Sequence, residues 1–297
     1  MDAFLQLILL IAVISFCFFQ WLFHSVSPWV SCRISPGFLK LSYKQQIEWN
    51  SRTVSTLHAF LVGLFCLYIL FFDEAVNQDP VWGDPTLVKI NVGITTGYLI
   101  SDLLLIIYFW RAIGDKFFVI HHLAALYAYY FVLVSSLLSS SRMGRQDGKE
   151  MTEGEQQCCL IEKALARKGQ GMLPYFANFR LLAEFSTPCV NQRWFFEVLG
   201  YPKSSKLNIA NGVLMALVFF MVRISVMPVY YSRMYSVYGT EAFYRVSFGG
   251  RSAWIFSSFC LDIMNVMWMH KIARGCYRVL RSSQQIKTQT LKNGKAD

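Results

Sequence analysis

Ionisable side chains occur inside apolar stretches of this sequence, where their presence needs an explanation. An ionisable group near the centre of a bilayer costs roughly 2.5 to 3.5 kcal/mol on insertion scales, so such groups usually face a partner or a water-filled cavity. Too many are present for each to face lipid by accident, and we expect them to share an interior site. They are Asp102, His121, His122, Arg180, Glu184, Arg223 and Asp262.

Two adjacent histidines, His121 and His122, offer the most specific chemistry. Neighbouring residues on a helix point about 100° apart, so one imidazole can face a cavity while another residue holds the second. A neutral imidazole could take a proton from an amine or a hydroxyl, with Asp102 orienting it. The alternative is a structural or headgroup-binding role, which the sequence favours because two adjacent histidines alone are a weak signal. No metal is predicted, because neighbouring histidines cannot chelate one ion as an i, i+4 pair can.

Helical spacing places further polar residues on shared faces. Asn91, Thr95 and Tyr98 precede Asp102 at intervals of three and four residues, which puts all four on one side of a helix. Similar stripes on other segments predict a polar chamber between the helices. At about 1.5 Å of rise per residue, most of these groups lie in the cytosolic half of the membrane and Arg223 lies deeper. The predicted lining is Asn91, Thr95, Tyr98, Tyr129, Asn178, Arg180, Arg223, Ser258, Asp262 and Asn265.

The same residues could instead only hold helices together. Asp102 or Asp262 could pair with Arg223, and Arg180 could pair with Glu184 one turn on. Polar contacts of this kind between membrane helices contribute of order 0.6 kcal/mol each. The sequence leaves this alternative open. It places His58 near the end of a span, which predicts an interfacial position.

Composition identifies the elements that must position these residues. Of 297 residues, 55% are hydrophobic and 15% are charged, whereas soluble domains are about a quarter charged. An ordinary soluble enzyme is therefore excluded. A helix that spans a membrane needs about 20 apolar residues. Six runs in the sequence meet this length, and a seventh run, 172–190, is weaker. The prediction is an all-α polytopic membrane protein with about seven transmembrane helices, at 4–23, 53–72, 90–109, 119–138, 172–190, 209–231 and 252–272.

The distribution of Lys and Arg predicts the orientation and the partners. Cytoplasmic loops collect Lys and Arg, and an odd number of spans places the basic tail, 276–297, in the cytosol. The formal net charge of +10 suggests contact with anionic lipid. Nucleic acid is not expected as a partner, because no basic face with interleaved aromatic residues occurs outside the tail. Membrane lipids are the predicted partners, and the oligomeric state stays open.

Four motifs follow one another in the sequence: GYLISDLLLIIYFW (97–110), FVIHHLAALYAYY (118–130), GMLPYFANFRLLAEFSTPCVNQRWFF (171–196) and LDIMNVMWMHKI (261–272). Together they resemble the TLC domain family. The resemblance covers residues 40–275, preceded by an N-terminal transmembrane helix and linker at 1–39. It implies a six-helix TLC core enclosing a polar chamber, an endoplasmic reticulum or related membrane, and a role in lipid homeostasis. Within this domain, 139–171 is polar and of low complexity, which predicts a disordered insert.

The resemblance also bears on catalysis. Some members, the ceramide synthases, acylate a sphingoid base with acyl-CoA, using a histidine pair and carboxylates of the following motif. His121 and His122 match that pair, but 178–188 carries one carboxylate, Glu184, where the synthases have an Asp-rich stretch. We therefore predict a protein that binds or senses lipid, without a cofactor, and influences membrane composition. The alternative is an acyltransferase acting on an amine or hydroxyl lipid, with His121, His122, Asp102 and Glu184 as catalytic residues and acyl-CoA as co-substrate.

Overall fold

The computed structural model describes residues 3–143 and 172–293, with side chains described at 3–133 and 172–278. All regular elements in these ranges are helices and none is a strand, so the predicted all-α class is confirmed. The helix that begins at Lys116 continues to Met143, past the predicted start of the insert at 139. The rest of that insert, 144–171, lies outside the described residues.

The bundle is built from helices of very different length. Within the described ranges, its main helices in chain order are α1 (Ala3–Ile34), α2 (Tyr43–Phe72), α3 (Thr86–Tyr108), α4 (Lys116–Met143), α5 (Pro174–Arg180), α6 (Thr187–Val198), α7 (Lys206–Val237) and α8 (Phe248–Asn293). Both α1 and α7 contain a π-helical turn, at Leu22–Val26 and Phe220–Ile224. One-turn helices such as Glu74–Gln78 and Glu241–Arg245 lie in the connections.

Five helices in the described part of the chain are long and apolar enough to cross a membrane by length and composition. They are α1, α2, α3, α4 and α7, and several spans are what a multi-pass membrane protein requires. The predicted spans 172–190 and 252–272 fall on α5 with α6 and on α8, which do not belong to this set. The total of about seven spans therefore stays a prediction.

The distribution of exposed and buried residues is the one expected of a bundle in lipid. Large apolar side chains such as Leu10, Val13, Leu64 and Ile107 are about half exposed or more on the outer surface. Polar and charged side chains are buried between the helices, which is unusual in water-soluble proteins. The interior therefore holds the polar chemistry and the exterior offers an apolar surface to lipid.

A 3₁₀ segment between α5 and α6 carries polar groups in the interior. Leu173 adopts a left-handed conformation, with φ of 61°, immediately before Pro174 opens α5. A 3₁₀ segment, Leu181–Ser186, joins α5 to α6, and Pro188 lies in the first turn of α6. Proline fits there because the first turn needs no N–H from it. The 3₁₀ segment packs against α2 and the π turn of α7.

Helix α1 packs tightly against α3, the helix that carries Asp102. A Cβ added at Gly97 would fall within 3 Å of atoms of Ala12, Ser15 and Phe16 on α1. The Ser15 hydroxyl donates a hydrogen bond to the carbonyl oxygen of Ile94 at 2.7 Å. Glycine allows this close approach because it has no side chain. The N-terminal helix is thus fixed against the site-bearing α3.

Candidate functional site

His122 connects α4 to α3 through Asp102. Its Nε2 atom lies 3.0 Å from Oδ2 of Asp102, and its Nδ1 atom lies 2.7 Å from the carbonyl oxygen of Phe118. A carbonyl oxygen and a carboxylate are both acceptors. Either the ring is an imidazolium that donates from both nitrogens, or the ring is neutral, donates from Nδ1 and accepts at Nε2 from a protonated Asp102. In either case, both ring nitrogens are occupied and His122 is held in place.

His121 points to a different environment from its neighbour. Its Nδ1 atom is buried and has no hydrogen-bond partner among the described residues. The ring centroid lies 5.6 Å from that of Trp268, and the side chain lines two adjoining cavities. Both imidazoles line the large cavity, and they differ in that His122 is held through both ring nitrogens whereas Nδ1 of His121 has no partner.

A large cavity of about 570 Å³ lies between α2, α3, α4, α6, α7 and α8. Arg193, Glu197 and Lys271 are exposed at its outer end, together with Asp115. We call this end the mouth. The inner end is formed by polar side chains that come from four different segments of the chain. These inner residues are Tyr98, Asp102, His121, His122, Glu184 and Arg223.

Segments that connect the predicted spans contribute to the mouth of this cavity. Glu48 and Arg52 come from the start of α2, Asp115 precedes α4, and Arg193 and Glu197 lie on α6. The first two form an ion pair, with Nη2 of Arg52 2.7 Å from Oε1 of Glu48. The remaining charges at the mouth are of both signs. Three of the connecting segments, 24–52, 110–118 and 191–208, thus meet at one end of the bundle.

Glu184 lies in the cavity beside a buried imidazole that the sequence had placed at an interface. Its Oε2 accepts a hydrogen bond from Thr187 Oγ1 at 3.3 Å and lies 3.8 Å from Nδ1 of His58. His58 is 1% exposed and stacks on Tyr98 with ring centroids 3.7 Å apart. Because α2 begins at Tyr43, His58 lies well inside the helix and is buried in the bundle. Its position relative to a membrane interface stays a prediction.

Arg223 is buried at the inner end of the same cavity. Its Nε atom donates to Ser186 Oγ at 2.8 Å and its Nη1 atom donates to Asn265 Oδ1 at 2.9 Å. Its guanidinium therefore lies beside Asn265, and its depth in a membrane stays a prediction. Arg223 thus belongs to the group around His121 and Glu184.

A second polar cluster lies around Arg180, away from the large cavity. Both terminal nitrogens of Arg180 donate to the carboxylate of Asp262, at 2.5 and 3.0 Å. The hydroxyl of Tyr231 donates to the same carboxylate at 2.7 Å. The guanidinium lies 3.9 Å from the ring centroid of Tyr230. The suggested pairs of Asp262 with Arg223, Asp102 with Arg223 and Arg180 with Glu184 do not form. Asp262 pairs with Arg180, and Asp102 pairs with His122.

Two smaller cavities, each of about 50 Å³, continue from the large one. The middle cavity shares His121, Glu184 and Arg223 with the large cavity, and is also lined by Thr95 and Asn265. The apolar cavity shares Tyr129, Arg180 and Tyr230 with the middle one. Beyond that boundary its walls include Phe176, Trp254 and Ser258. The three cavities form a series from a polar, open end to an apolar end.

Three residues of the predicted lining lie outside these three cavities. Asn91 donates to the carbonyl oxygen of Val62 at 3.2 Å, and Asn178 donates to that of Cys66 at 3.2 Å. Asp262 accepts hydrogen bonds from Arg180 at both carboxylate oxygens. Each of these contacts joins two segments of the bundle, so the structure supports a packing role for these residues. The other predicted lining residues each reach at least one of the cavities.

Sequence reasoning missed several polar residues that complete the site. The hydroxyls of Tyr230 and Ser258 lie 2.9 Å apart, and Trp254 Nε1 donates to the Tyr230 hydroxyl at 2.8 Å. Ser186 bonds Arg223 from the 3₁₀ segment. Tyr230 follows Arg223 by seven residues, a spacing that could have indicated it. Nothing local marks Ser186, because its role depends on a contact with Arg223, 37 residues away on α7.

The arrangement provides no evident metal centre. Among the residues whose side chains are described, no group of three or more His, Cys, Asp and Glu side chains could hold a metal ion. What the cavity does offer is a free imidazole, a carboxylate and a guanidinium around one space. These groups can bind a polar headgroup or move a proton.

Comparison with known proteins identifies relatives over the whole chain. The family model described as the TLC domain matches residues 48–141 and 165–274. TLC domain-containing protein 4-B of Xenopus laevis is 57% identical over 297 residues, covering 100% of both chains. TLC domain-containing protein 4 of Homo sapiens is 48% identical over 293 residues, covering 98% of both. TLC domain-containing protein 4 A of Dictyostelium discoideum is 22% identical, covering 84% of this chain and 81% of its own. No solved structure matches the chain.

Proposed function

Because this chain belongs to the TLC domain family, we propose that it binds lipid in the cavity between its helices and thereby influences the lipid composition of its membrane. The observation that carries the proposal is the large cavity of about 570 Å³, with His121, Glu184 and Arg223 at its inner end. Small-molecule sites commonly measure about 300 to 1,000 Å³ and combine apolar walls with a few polar groups.

The walls of the cavity favour an amphipathic ligand. Leu99, Ile106, Met215, Phe219 and Ile272 provide apolar surface along it. Polar groups lie both at the inner end and at the mouth, with apolar surface between them, so a ligand that carries both polar and apolar parts matches these walls. A small hydrophilic solute would leave the apolar walls facing water, at a free-energy cost of about 25 cal/mol per Å². Lipid is the abundant amphiphile around a membrane helix bundle.

We place the protein in the endoplasmic reticulum or a related membrane, with its C-terminus in the cytosol. The support for the orientation is the excess of Lys and Arg on the segments that meet at the cavity mouth. A mouth on the cytosolic side would give ligands access from that leaflet. Tagging each terminus and testing protease accessibility in sealed microsomes checks the orientation, and a protected C-terminal tag contradicts it.

Lipid binding is tested on the full chain purified in nanodiscs, with mass spectrometry of the lipids that remain after extensive detergent washing. Ser55→Trp places a large ring in the cavity, because Ser55 lines it. Leu61→Trp is the control on the same helix, because Leu61 is 47% exposed on the outside of the bundle. The proposal expects lipid loss only in Ser55→Trp. Equal lipid content in the wild-type protein and Ser55→Trp would contradict it.

A second function, acyl transfer, is favoured by the geometry of His121. An unpartnered imidazole nitrogen beside a cavity, next to a histidine fixed by Asp102, is an arrangement suited to a general base. His121 would accept the proton of an amine or hydroxyl lipid as that atom attacks the thioester carbonyl of acyl-CoA. A C–N or C–O bond forms, the C–S bond breaks, and the proton passes to the coenzyme A thiolate.

Turnover separates the two functions. The purified protein is given labelled acyl-CoA and a panel of amine and hydroxyl lipids, and acylated products are measured. Product formation that is lost in His121→Ala supports acyl transfer. The absence of product with every acceptor, together with retained lipid in the cavity, supports binding alone. Glu184 is the one carboxylate in the motif 178–188, which is the departure that weighs against catalysis.

A further inference from the structure

Arg223 lies at a backbone irregularity in the middle of a long helix. The π turn Phe220–Ile224 interrupts α7, and Arg223 is the charged residue in it. A π turn is an insertion that costs regular hydrogen bonding, and such turns occur frequently at functional sites. The π turn is therefore compatible with two roles for the guanidinium of Arg223, ligand binding and helix packing.

The guanidinium of Arg223 is buried without a carboxylate partner. Its residue exposure is 8%, and its two hydrogen bonds go to the neutral oxygens of Ser186 and Asn265. No carboxylate of the described residues lies within 4 Å of it. A buried charge whose hydrogen bonds all go to neutral groups is expensive, because the loss of hydration is offset only in part by a carboxylate, Glu184, that lies too far away for an ion pair.

A second arginine of the bundle, the partly buried Arg180, shows the contrast. Arg180 donates to both oxygens of Asp262, so its charge is balanced within the protein. It lies at the boundary of the two smaller cavities, whereas Arg223 lies at the inner end of the large one. The unbalanced guanidinium is thus the one that faces the larger space.

The charges around Arg223 come from several helices and must be counted together. Glu184 reaches the same cavity from the 3₁₀ segment, but its Oε2 is bonded to Thr187 and lies near His58. The Asp102 carboxylate is bonded to His122. His121 carries no partner on Nδ1. Glu184 is therefore the nearest competing negative charge, and it does not form an ion pair with Arg223.

We infer that Arg223 is the binding site for an acidic group, a phosphate or a carboxylate, on the lipid held in the large cavity. The inference rests on the proposed lipid binding and names the headgroup chemistry. An anion at this position would receive charge-assisted hydrogen bonds from the guanidinium, which are about twice as strong as neutral ones. The mouth carries charges of both signs, so it does not favour an acidic headgroup over a neutral one. The preference for an acidic headgroup therefore comes from Arg223.

The test compares acidic and neutral lipid in one preparation. The full chain is reconstituted in nanodiscs of phosphatidylcholine mixed with phosphatidic acid, washed, and analysed for retained lipid by mass spectrometry. The wild-type protein is expected to enrich phosphatidic acid over phosphatidylcholine. Arg223→Gln is expected to reduce that enrichment at least about tenfold, because removing one partner of a buried charge pair has effects of this size or larger. Arg233→Gln, on the same helix but exposed, is the control and is expected to keep it.

A second variant keeps the inference testable if Arg223→Gln fails to fold. Glu184→Gln removes the competing carboxylate and is expected to increase the enrichment of phosphatidic acid. Arg223→Lys keeps the charge without the planar fork and is expected to retain part of the enrichment. Unchanged enrichment in both variants would overturn the inference, as would equal retention of both lipids by the wild-type protein.

The source of the acid is distinguished by competition. Inorganic phosphate is added to the loaded protein, and displacement of phosphatidic acid would show that free phosphate also occupies the Arg223 site. No displacement would assign the site to the lipid-borne group alone. Both results support an anion site at Arg223. Retention of neutral lipid without a preference for acid would refute the site but keep the proposed function, whereas retention of no lipid at all would refute both.

Discussion

His122 and Asp102 form the bond that joins α4 to α3 at the inner end of the large cavity, with 3.0 Å between Nε2 and Oδ2. Because the second nitrogen of His122 is occupied by the carbonyl oxygen of Phe118, this imidazole has no free position for a ligand. Its neighbour His121 has a buried ring nitrogen, Nδ1, without a hydrogen-bond partner among the described residues. The two adjacent histidines therefore differ in their surroundings: His122 joins two helices, and His121 has a nitrogen without a hydrogen bond.

The His122–Asp102 pair is expected to stabilise the fold. Asp102→Ala leaves the imidazole buried with one lost partner, and breaking a buried pair in this way costs about 3 to 5 kcal/mol in other proteins. We expect a clearly lower melting temperature in detergent, measured by intrinsic fluorescence. The control is Asp115→Ala, because Asp115 is exposed at the cavity mouth. An equal effect of the two substitutions would argue against the pair as a structural element.

His121 is expected to contribute to ligand binding and little to stability. Nδ1 of His121 makes no hydrogen bond, so His121→Gln removes no identified polar contact at that atom and should change stability by less than about 1 kcal/mol. The same variant should retain less lipid or lose turnover. Melting temperature and retained lipid are measured on one preparation. A large drop in melting temperature with unchanged lipid would reverse the two roles.

Asp262 is expected to couple energetically to Arg180 and not to Arg223. A double-mutant cycle of Asp262→Asn with Arg180→Gln should give a coupling of about 0.5 to 3 kcal/mol, because the two side chains share two hydrogen bonds. The parallel cycle with Arg223→Gln should be closer to additive. Unfolding in mixed detergent with added denaturing surfactant supplies the free energies. A stronger coupling to Arg223 would contradict the observed pairing.

Gly97 is expected to tolerate no large side chain. Gly97→Leu would force α1 away from α3, because the added carbon would meet the backbone of Ala12. Overpacking of this kind typically costs about 1 to 3 kcal/mol. The matched control is Gly212→Leu, since a Cβ at Gly212 meets nothing within 4 Å. Yield and melting temperature of both variants give the comparison, and equal stability would show that α1 packs elsewhere.

The sequence determined the architecture and the residue types of the site. Long apolar runs predict membrane helices because the bilayer thickness sets a length that can be read locally. The stripe of Thr95, Tyr98 and Asp102 follows from helical geometry alone, and all three reach a cavity. The family resemblance is confirmed by the match over most of the chain. None of these conclusions requires knowledge of how one helix meets another.

The tertiary structure decided which residues pair and which stay free. The partner of Asp262, the burial of His58 and the partners of Arg223 all depend on the rotation and offset of one helix against another. These are set by many packing contacts between distant segments, including the 3₁₀ segment Leu181–Ser186, so no local pattern reports them. The sequence therefore supplied the charged groups, and only the packing of the helices left His121 and Arg223 facing the same cavity.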